Sequence, residues 1–181
     1  ATRNSGQALV TKNKVYLIGG SSTVNTTGSV STIYVSTINA STGVIGSWSV
    51  YGNLPVALDS FELVVYLNRV YLIGGNSNGT IVSTIYSSLI DNEGNLGSWS
   101  IIGELPFVLK SMSCIITKNL LTCMGGQHTS GVVITVMQCP INEDGTLGTW
   151  YSCPSLPEGR RSASILPTKN WVYLIGGNSG S

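Results

Sequence analysis

The chain has 181 residues, of which 42% are hydrophobic and only 9% are Asp, Glu, Lys or Arg, and its formal net charge is +1. This composition excludes intrinsic disorder and allows one domain with a substantial core, while the lack of a basic cluster excludes nucleic acid as an expected partner. No apolar run reaches the roughly 18 residues of a spanning helix, and no basic then apolar leader opens the chain, so we expect a soluble protein with no membrane insertion.

The dominant pattern along the chain is an internal repeat. Tyr16-Leu17-Ile18-Gly19-Gly20 returns as Tyr71–Gly75, Thr122–Gly126 and Tyr173–Gly177, at spacings of 55, 51 and 51 residues. Two further landmarks return every 51 residues, namely Trp48, Trp99 and Trp150, and the pairs Leu54-Pro55, Leu105-Pro106 and Leu156-Pro157. Three independent landmarks in one register predict a repeat architecture.

Each repeat predicts four strands, which we label A to D. Two-residue turns between A and B are predicted at Lys12-Asn13, Leu67-Asn68, Lys118-Asn119 and Lys169-Asn170, with the Asn in the left-handed conformation. Strand C is predicted at Ser31–Tyr34, Ser83–Tyr86 and Val133–Val136, and strand D at each repeated Trp. Because no stretch shows a sustained period of 3.6 residues, the fold class is all-β.

A four-stranded unit of about 50 residues, with Gly-Gly after strand B and Trp on strand D, resembles the kelch repeat. The phrase Gly-x-Leu/Ile-Gly-Ser/Thr-Trp followed by Leu-Pro is similar to kelch arrays of large bacterial and phage surface proteins. Kelch repeats usually carry an Arg after Leu-Pro; here Arg160 and Arg3 hold that place, whereas Leu58 and Leu109 replace it in the other repeats. The resemblance implies a β-propeller whose blades are the four-stranded units.

Strands A to D occur three times and then A and B alone. We therefore expect a single kelch-type propeller domain or fragment over 1–181, with blades at about 1–55, 56–106 and 107–157 and half a blade at about 158–181. A closed propeller needs about four to eight blades. The chain is then either a partial propeller or one completed by a homo-oligomer, and something should cover the open strands at Ser162–Gly177.

Antiparallel order places the D-to-A and B-to-C loops at one end of the propeller, which we call the mouth. Its D-to-A candidates for ligand binding are Arg3, Asn4, Ser5, Asp59, Ser60, Lys110, Ser111, Arg160, Arg161 and Ser162. Its B-to-C candidates are Ser21, Asn76, Gln127 and His128, and the first B-to-C loop carries a four-residue insertion between Gly20 and Trp48. Hydroxyls, amides and isolated charges suit a glycan or protein ligand, and solvated loops without a ligand are the alternative.

All four cysteines fall in the third repeat, without the spacing of a zinc site. If Lys118-Asn119 is a two-residue turn, Cys114 and Cys123 lie directly opposite each other. Two accounts stay open, a cross-strand disulfide and a pair of small core hydrophobes, of which we prefer the second. The repeated Trp residues are expected to pack between blades, and Trp171 to be partly exposed on the face opposite the mouth.

No metal site, cofactor or catalytic dyad is expected, because His128 is the single histidine of the sequence. The leading hypothesis is a non-enzymatic module of an extracellular, cell-surface or virion protein that binds glycan or protein at the mouth. The alternatives are a structural spacer without a ligand and an enzyme similar to kelch-containing sugar mutarotases or oxidases. For such an enzyme, Asp59 and Lys110 are the only acid–base candidates that the mouth offers.

Overall fold

The computed structural model describes residues 2–22 and 28–180, and most of the inserted first B-to-C loop lies outside these ranges. The first repeat contains β1 (Gln7–Val10), β2 (Lys14–Ile18), β3 (Ser21–Ser22), β4 (Gly28–Ser29), β5 (Thr32–Thr37) and β6 (Ser49–Asn53). The second contains β7 (Glu62–Tyr66), β8 (Arg69–Ile73), β9 (Asn76–Ser77), β10 (Thr80–Ile81), β11 (Thr84–Leu89) and β12 (Ser100–Glu104). The third contains β13 (Ser113–Thr117), β14 (Leu120–Met124), β15 (Gln127–His128), β16 (Gly131–Val132), β17 (Val136–Pro140) and β18 (Tyr151–Cys153). A last pair follows, β19 (Ser164–Pro167) and β20 (Val172–Ile175).

Three four-stranded antiparallel sheets form from these strands, and we call them blades 1 to 3. Blade 1 has the order β1-β2-β5-β6, blade 2 the order β7-β8-β11-β12 and blade 3 the order β13-β14-β17-β18. The hairpin of β19 and β20 is the half-blade, and a two-stranded ribbon joins the second and third strands of each full blade. This architecture confirms the all-β expectation of three blades and half a blade.

The hairpins that open each blade turn over two residues, as predicted. Tyr66 pairs with Arg69 and Thr117 with Leu120, so each turn is the intervening pair. The expectation for the Asn residues was wrong, because the left-handed residues in blades 2 and 3 are Leu67 (φ 54°) and Lys118 (φ 58°), and neither residue of the turns at Lys12-Asn13 and Lys169-Asn170 has a positive φ. A positive φ at the first turn residue alone matches a type II′ turn, whose twist follows that of the strands.

The third copy of strand C lies further along the chain than predicted. The sequence placed it at Val133–Val136, whereas β17 spans Val136–Pro140. The carbonyl of Ile134 accepts the amide of Leu156 at 2.8 Å, and that of Ser83 accepts the amide of Leu105 at 2.8 Å, which aligns Ile134 with Ser83. The prediction was wrong because the apolar run 133–136 was taken as the strand, while its first residues connect the ribbon to the strand.

The core lies between the blades. One buried cluster joins blades 1 and 2 and includes Tyr16 and Leu72, and a second joins blades 2 and 3 and includes Tyr71 and Leu121. Each seam between blades therefore buries side chains from both neighbours, and the stability of one blade depends on the next.

The same polar contact ties the first two seams. The hydroxyl of Tyr16 donates to the carbonyl of Gly94 at 2.9 Å, and that of Tyr71 donates to the carbonyl of Gly145 at 3.3 Å. In both cases a tyrosine on the second strand of one blade meets the Gly turn between the last two strands of the next blade. A buried phenol needs such a partner, since an unpaired hydroxyl costs free energy.

The burial of each repeated tryptophan depends on whether another blade packs against it. Trp99 and Trp150 pack against the two buried clusters, as predicted, and the indole Nε1 of Trp150 donates to the carbonyl of Glu104 at 3.0 Å. Trp48 is 49% exposed, because no other blade of the described part of the chain packs against it. Trp171 is exposed, as expected.

The cysteines are free thiols. Cys114 and Cys123 are paired across β13 and β14, as the turn predicted, with their Sγ atoms 2.8 Å apart. Both are buried, and burial is the main cause that raises the pKa of the Cys114 thiol. Burial also raises the pKa of Cys139 to about 12. Low thiolate character matches the interpretation of these residues as small core hydrophobes.

Candidate functional site

The D-to-A and B-to-C loops meet at one end of the molecule. Four isolated antiparallel bridges join them, Asn4 to Ser21, Asp59 to Asn76, Lys110 to Gln127 and Arg161 to Asn178. Each bridge belongs to one repeat, so the mouth is built from the same contact in every repeat. The structure thus brings together the loops that hold the predicted candidates.

A main-chain ladder joins the D-to-A loops of neighbouring repeats. The amides of Ser60, Ser111 and Ser162 donate to the carbonyls of Ser5, Ser60 and Ser111 at 2.9, 2.7 and 2.8 Å. All four serines have positive φ, at 53°, 54°, 52° and 54°. Such a conformation is uncommon outside glycine and persists only where the surroundings hold it. The ladder therefore makes a rigid frame around the centre of the mouth.

The carboxylate of Asp59 has a structural role. Its Oδ2 accepts from Ser29 Oγ at 2.6 Å and from Asn76 Nδ2 at 3.0 Å, and its Oδ1 accepts from Ser60 Oγ at 2.8 Å. The residue is 9% exposed. Its carboxylate therefore links blade 2 to the ribbon of blade 1 through hydrogen bonds within the protein.

Two of the candidate arginines are also structural. Arg3 Nη1 donates to the carbonyls of Gly19 and Thr32 at 2.8 and 2.9 Å, and its guanidinium lies over the ring of Tyr34, 4.7 Å from the centroid. Arg160 forms an ion pair with Glu158 at 2.6 Å. Both guanidinium groups therefore already have partners within the protein.

Further charged and aromatic groups of the mouth lie near blade 3 and the half-blade. Arg161 Nη1 donates to Gln127 Oε1 at 2.6 Å, and the ring of His128 meets Phe107 edge-on at 6.0 Å. Lys110 is half-buried, and within residues 2–22 and 28–180 its ammonium makes no hydrogen bond or ion pair. This side of the mouth offers a cation, an imidazole and an amide at the surface.

One acidic residue of the mouth was missed by the sequence analysis, and it is Glu62. It lines a cavity of about 190 Å³ at the centre of the mouth, together with Ser5, Ser60, Ser111 and Ser162. Burial raises the pKa of Glu62 to about 7, and its Oε2 accepts from Gln7 Nε2 at 3.3 Å. The expectation that Asp59 and Lys110 were the only acid–base candidates was therefore wrong.

The signal for Glu62 was present in the repeat. It lies two residues after the serine of the ladder, where the other repeats have Gln7, Ser113 and Ser164. A polar residue as the first residue of strand A in every repeat indicates a position that faces the centre rather than a blade.

Two absences are observed among the described residues. Within 2–22 and 28–180, no three His, Cys, Asp or Glu side chains form a group that could hold a metal ion. In the same ranges, no helix is long and apolar enough to cross a membrane.

Comparisons with known proteins agree with the repeat pattern. No family model matches the chain. A kelch domain-containing protein of Saccharolobus solfataricus is 36% identical over 84 residues, which are 46% of this chain and 10% of that protein. Kelch repeat and BTB domain-containing protein 1 of Horsepox virus is 23% identical over 132 residues, 73% of this chain and 22% of that protein.

The fold has a solved counterpart. The structure of YjhT superposes with a TM-score of 0.78 at 14% identity, covering 97% of this chain and 59% of YjhT. The chain therefore spans a small part of the two curated relatives and somewhat more than half of the solved structure. At this identity, the likeness to YjhT shows the fold alone.

Proposed function

The chain is built of kelch repeats in a partial β-propeller, and on that premise we propose that it is a non-enzymatic binding module that recognises a glycan or a protein at its mouth. We also propose that it serves in an extracellular, cell-surface or virion protein. Its low content of charged residues and its many hydroxyl groups favour a polar, uncharged contact surface. The proposal leaves the chemistry of the ligand to the side chains of the mouth, since a fold by itself does not define a function.

The observation that supports this proposal is that some residues of the mouth hold the loops in place while others vary between repeats. The serine ladder, Asp59 and Arg3 hold the loops rigid, whereas Lys110 and His128 differ from their counterparts in the other repeats and lie at the surface. A fixed frame with variable side chains is the usual design of a loop-based binding site, because pre-organised loops lose little entropy on binding.

The test is ligand capture followed by mutation of the mouth. The chain is screened against a glycan array and in pull-downs, and the ligand obtained is titrated against the double variant Lys110→Ala, His128→Ala. We expect affinity to fall at least about tenfold, or 1.4 kcal/mol. Lys169→Ala, an exposed lysine in the turn before β20, is the matched control. Blanks in both screens, or equal affinities for both variants, would contradict the proposal.

A second function, assembly with another copy of the chain, is favoured by the half-blade. Val172, Tyr173 and Ile175 of β20 are exposed, and the strand has no neighbour on its second edge among the described residues. A sheet edge beside an exposed apolar face is a site for association. We propose that a second copy covers it in a homo-oligomer.

The opposite end of the chain offers the matching surface. In blade 1 the space beside the Gly43 turn is open, since a Cβ placed on Gly43 would have no atom within 4 Å. The nearby Ile45 is 52% exposed. The equivalent Gly94 and Leu96 of blade 2 are buried against blade 1. Within one chain, the hydroxyl of Tyr16 donates to the carbonyl of Gly94. The carbonyl of Gly43 in one copy could accept from the hydroxyl of Tyr173 in another copy in the same way.

Disulfide trapping tests this contact. Chains carrying Tyr173→Cys are mixed with chains carrying Thr42→Cys, and an oxidised heterodimer is expected only in the mixture. Each single variant alone and the unmodified chain are the controls, since the chain has four cysteines of its own. A mixture that gives no more crosslinked dimer than those controls would exclude a head-to-tail contact.

A further inference from the structure

A cavity away from the mouth lies in the seam between the outer strands of blades 1 and 2. Its volume is about 580 Å³, and its walls include Ile33, Tyr51, Asn53, Ser98 and Trp99. Small-molecule sites usually occupy roughly 300–1,000 Å³. The cleft is therefore large enough to hold a ligand about the size of a disaccharide.

The equivalent seam between blades 2 and 3 is tied differently. There Trp150 Nε1 donates to the carbonyl of Glu104 at 3.0 Å, whereas Trp99 Nε1 makes no hydrogen bond within residues 2–22 and 28–180. The counterpart of Glu104 in blade 1 is Asn53, which lines the cleft. One repeat thus uses its indole N–H to close the seam, and the other leaves that donor at an open cleft.

Tyr51 accounts for the wall of the cleft. Its counterpart in blade 2 is Ile102, which has no ring. The hydroxyl of Tyr51 donates to the carbonyl of Leu96 at 2.5 Å, and its ring meets Tyr16 edge-on with centroids 5.2 Å apart. These two contacts hold the ring in place, so the cleft is pre-organised rather than formed on binding.

The cleft has the chemistry of a neutral sugar site. It has no charged side chain in its lining, and it combines the aromatic rings of Trp99 and Tyr51 with the amide of Asn53 and the hydroxyl of Ser98. A flat aromatic surface packs against the C–H face of a pyranose, and amides and hydroxyls exchange hydrogen bonds with its hydroxyl groups. A charged ligand would lose hydration here without gaining an opposite charge.

We propose that this cleft binds a neutral saccharide, with one pyranose ring stacked on Trp99 and a sugar hydroxyl bonded to Asn53. The site is separate from the mouth, and neither binding at the mouth nor assembly through the half-blade requires it. A chain with both sites would hold a ligand at its centre and a sugar at its rim.

The proposal is tested by calorimetric titration with maltose, lactose and N,N′-diacetylchitobiose. We expect at least one of them to bind, and Trp99→Ala to weaken that binding at least about tenfold. Trp48→Ala is the matched control, because Trp48 holds the same place in blade 1 and lies outside the cleft. Its affinity for the sugar should equal that of the unchanged chain.

Two further variants keep the test decisive. Trp99 packs against a buried cluster, so Asn53→Ala, an exposed change, is measured beside it and should also weaken binding. Lys169→Ala, a change at an exposed lysine of the half-blade, should leave the sugar affinity unchanged. The proposal is overturned if none of the three sugars binds, if Asn53→Ala has no effect, or if Lys169→Ala lowers the affinity as much as Asn53→Ala does.

Discussion

The sequence Val-Tyr-Leu-Ile occurs in the second strand of blades 1 and 2 and again in the half-blade, and the copies in blade 2 and the half-blade differ sharply in burial. Tyr71 and Ile73 are 0% exposed, whereas Tyr173 is 49% and Ile175 is 53% exposed. Blade 2 has a neighbour on each face, while among residues 2–22 and 28–180 the half-blade packs against blade 3 alone. Burial in a repeat protein is therefore decided by the neighbouring repeat rather than by the local sequence.

The largest effect is expected from truncating Tyr71, with the same truncation of Tyr173 as the comparison. Tyr71→Ala should lower the free energy of unfolding by about 3–5 kcal/mol, because it leaves a cavity in a buried seam and an unpaired carbonyl at Gly145. Tyr173→Ala should cost less than about 1 kcal/mol at low protein concentration. Urea denaturation monitored by circular dichroism measures both, and equal losses would contradict the comparison.

Alanine substitutions at two glycines distinguish the cost of backbone strain from the cost of a steric clash. In Gly125→Ala the new methyl would collide with the carbonyl of Arg160, whereas in Gly176→Ala no atom lies within 4 Å of it. Both residues have positive φ, at 62° and 69°. We expect a loss of about 1–2 kcal/mol for Gly176→Ala from strain alone, and a loss at least about 1 kcal/mol larger for Gly125→Ala. Thermal unfolding of the two variants checks the order.

A pH-dependent effect is expected from Glu62, whose counterpart in the half-blade is the exposed Ser164. Burial raises the pKa of Glu62 from 4.5 to about 7, so the folded chain binds more protons than the unfolded chain between these values. Its contribution to stability is therefore present below pH 4.5 and is lost as the pH rises toward 7.

Glu62→Gln should thus stabilise the chain by about 2 kcal/mol at pH 8 and change little at pH 4. Unfolding free energies at the two pH values give the readout. Glu104→Gln, at the exposed end of β12, is the matched control. A variant that is no more stable than the unchanged chain at pH 8 would show that Glu62 is not held in a dry environment.

Much of the fold was predictable because each landmark of the repeat has a physical reason. A two-residue turn sets the register of its hairpin, and for this reason Cys114 and Cys123 could be placed opposite each other before the structure was known. The antiparallel strand order likewise places the loops of Asp59 and Asn76 at one end. The third strand C was misplaced because the sequence of its repeat lacks the Ser-Thr-Ile-Tyr landmark.

The role of each side chain in the site was less predictable, because it depends on contacts between repeats. Asp59 looked like a free acid, but it bonds to Ser29 in the preceding blade. Glu62 was not among the candidates, because the central cavity that it lines forms only where the loops of several repeats meet. The cleft at Trp99 depends on the exchange of Ile102 for Tyr51, a difference between repeats that a search for common landmarks passes over.

The claim that links these observations is that the face of the half-blade is a docking surface for another copy of the chain. Light scattering on this chain over a range of concentrations tests it most directly. The account predicts that the mass rises from that of a 19.1 kDa chain toward that of a dimer or a larger species, and that Tyr173→Asp prevents the rise. A mass of one chain at every concentration would contradict it.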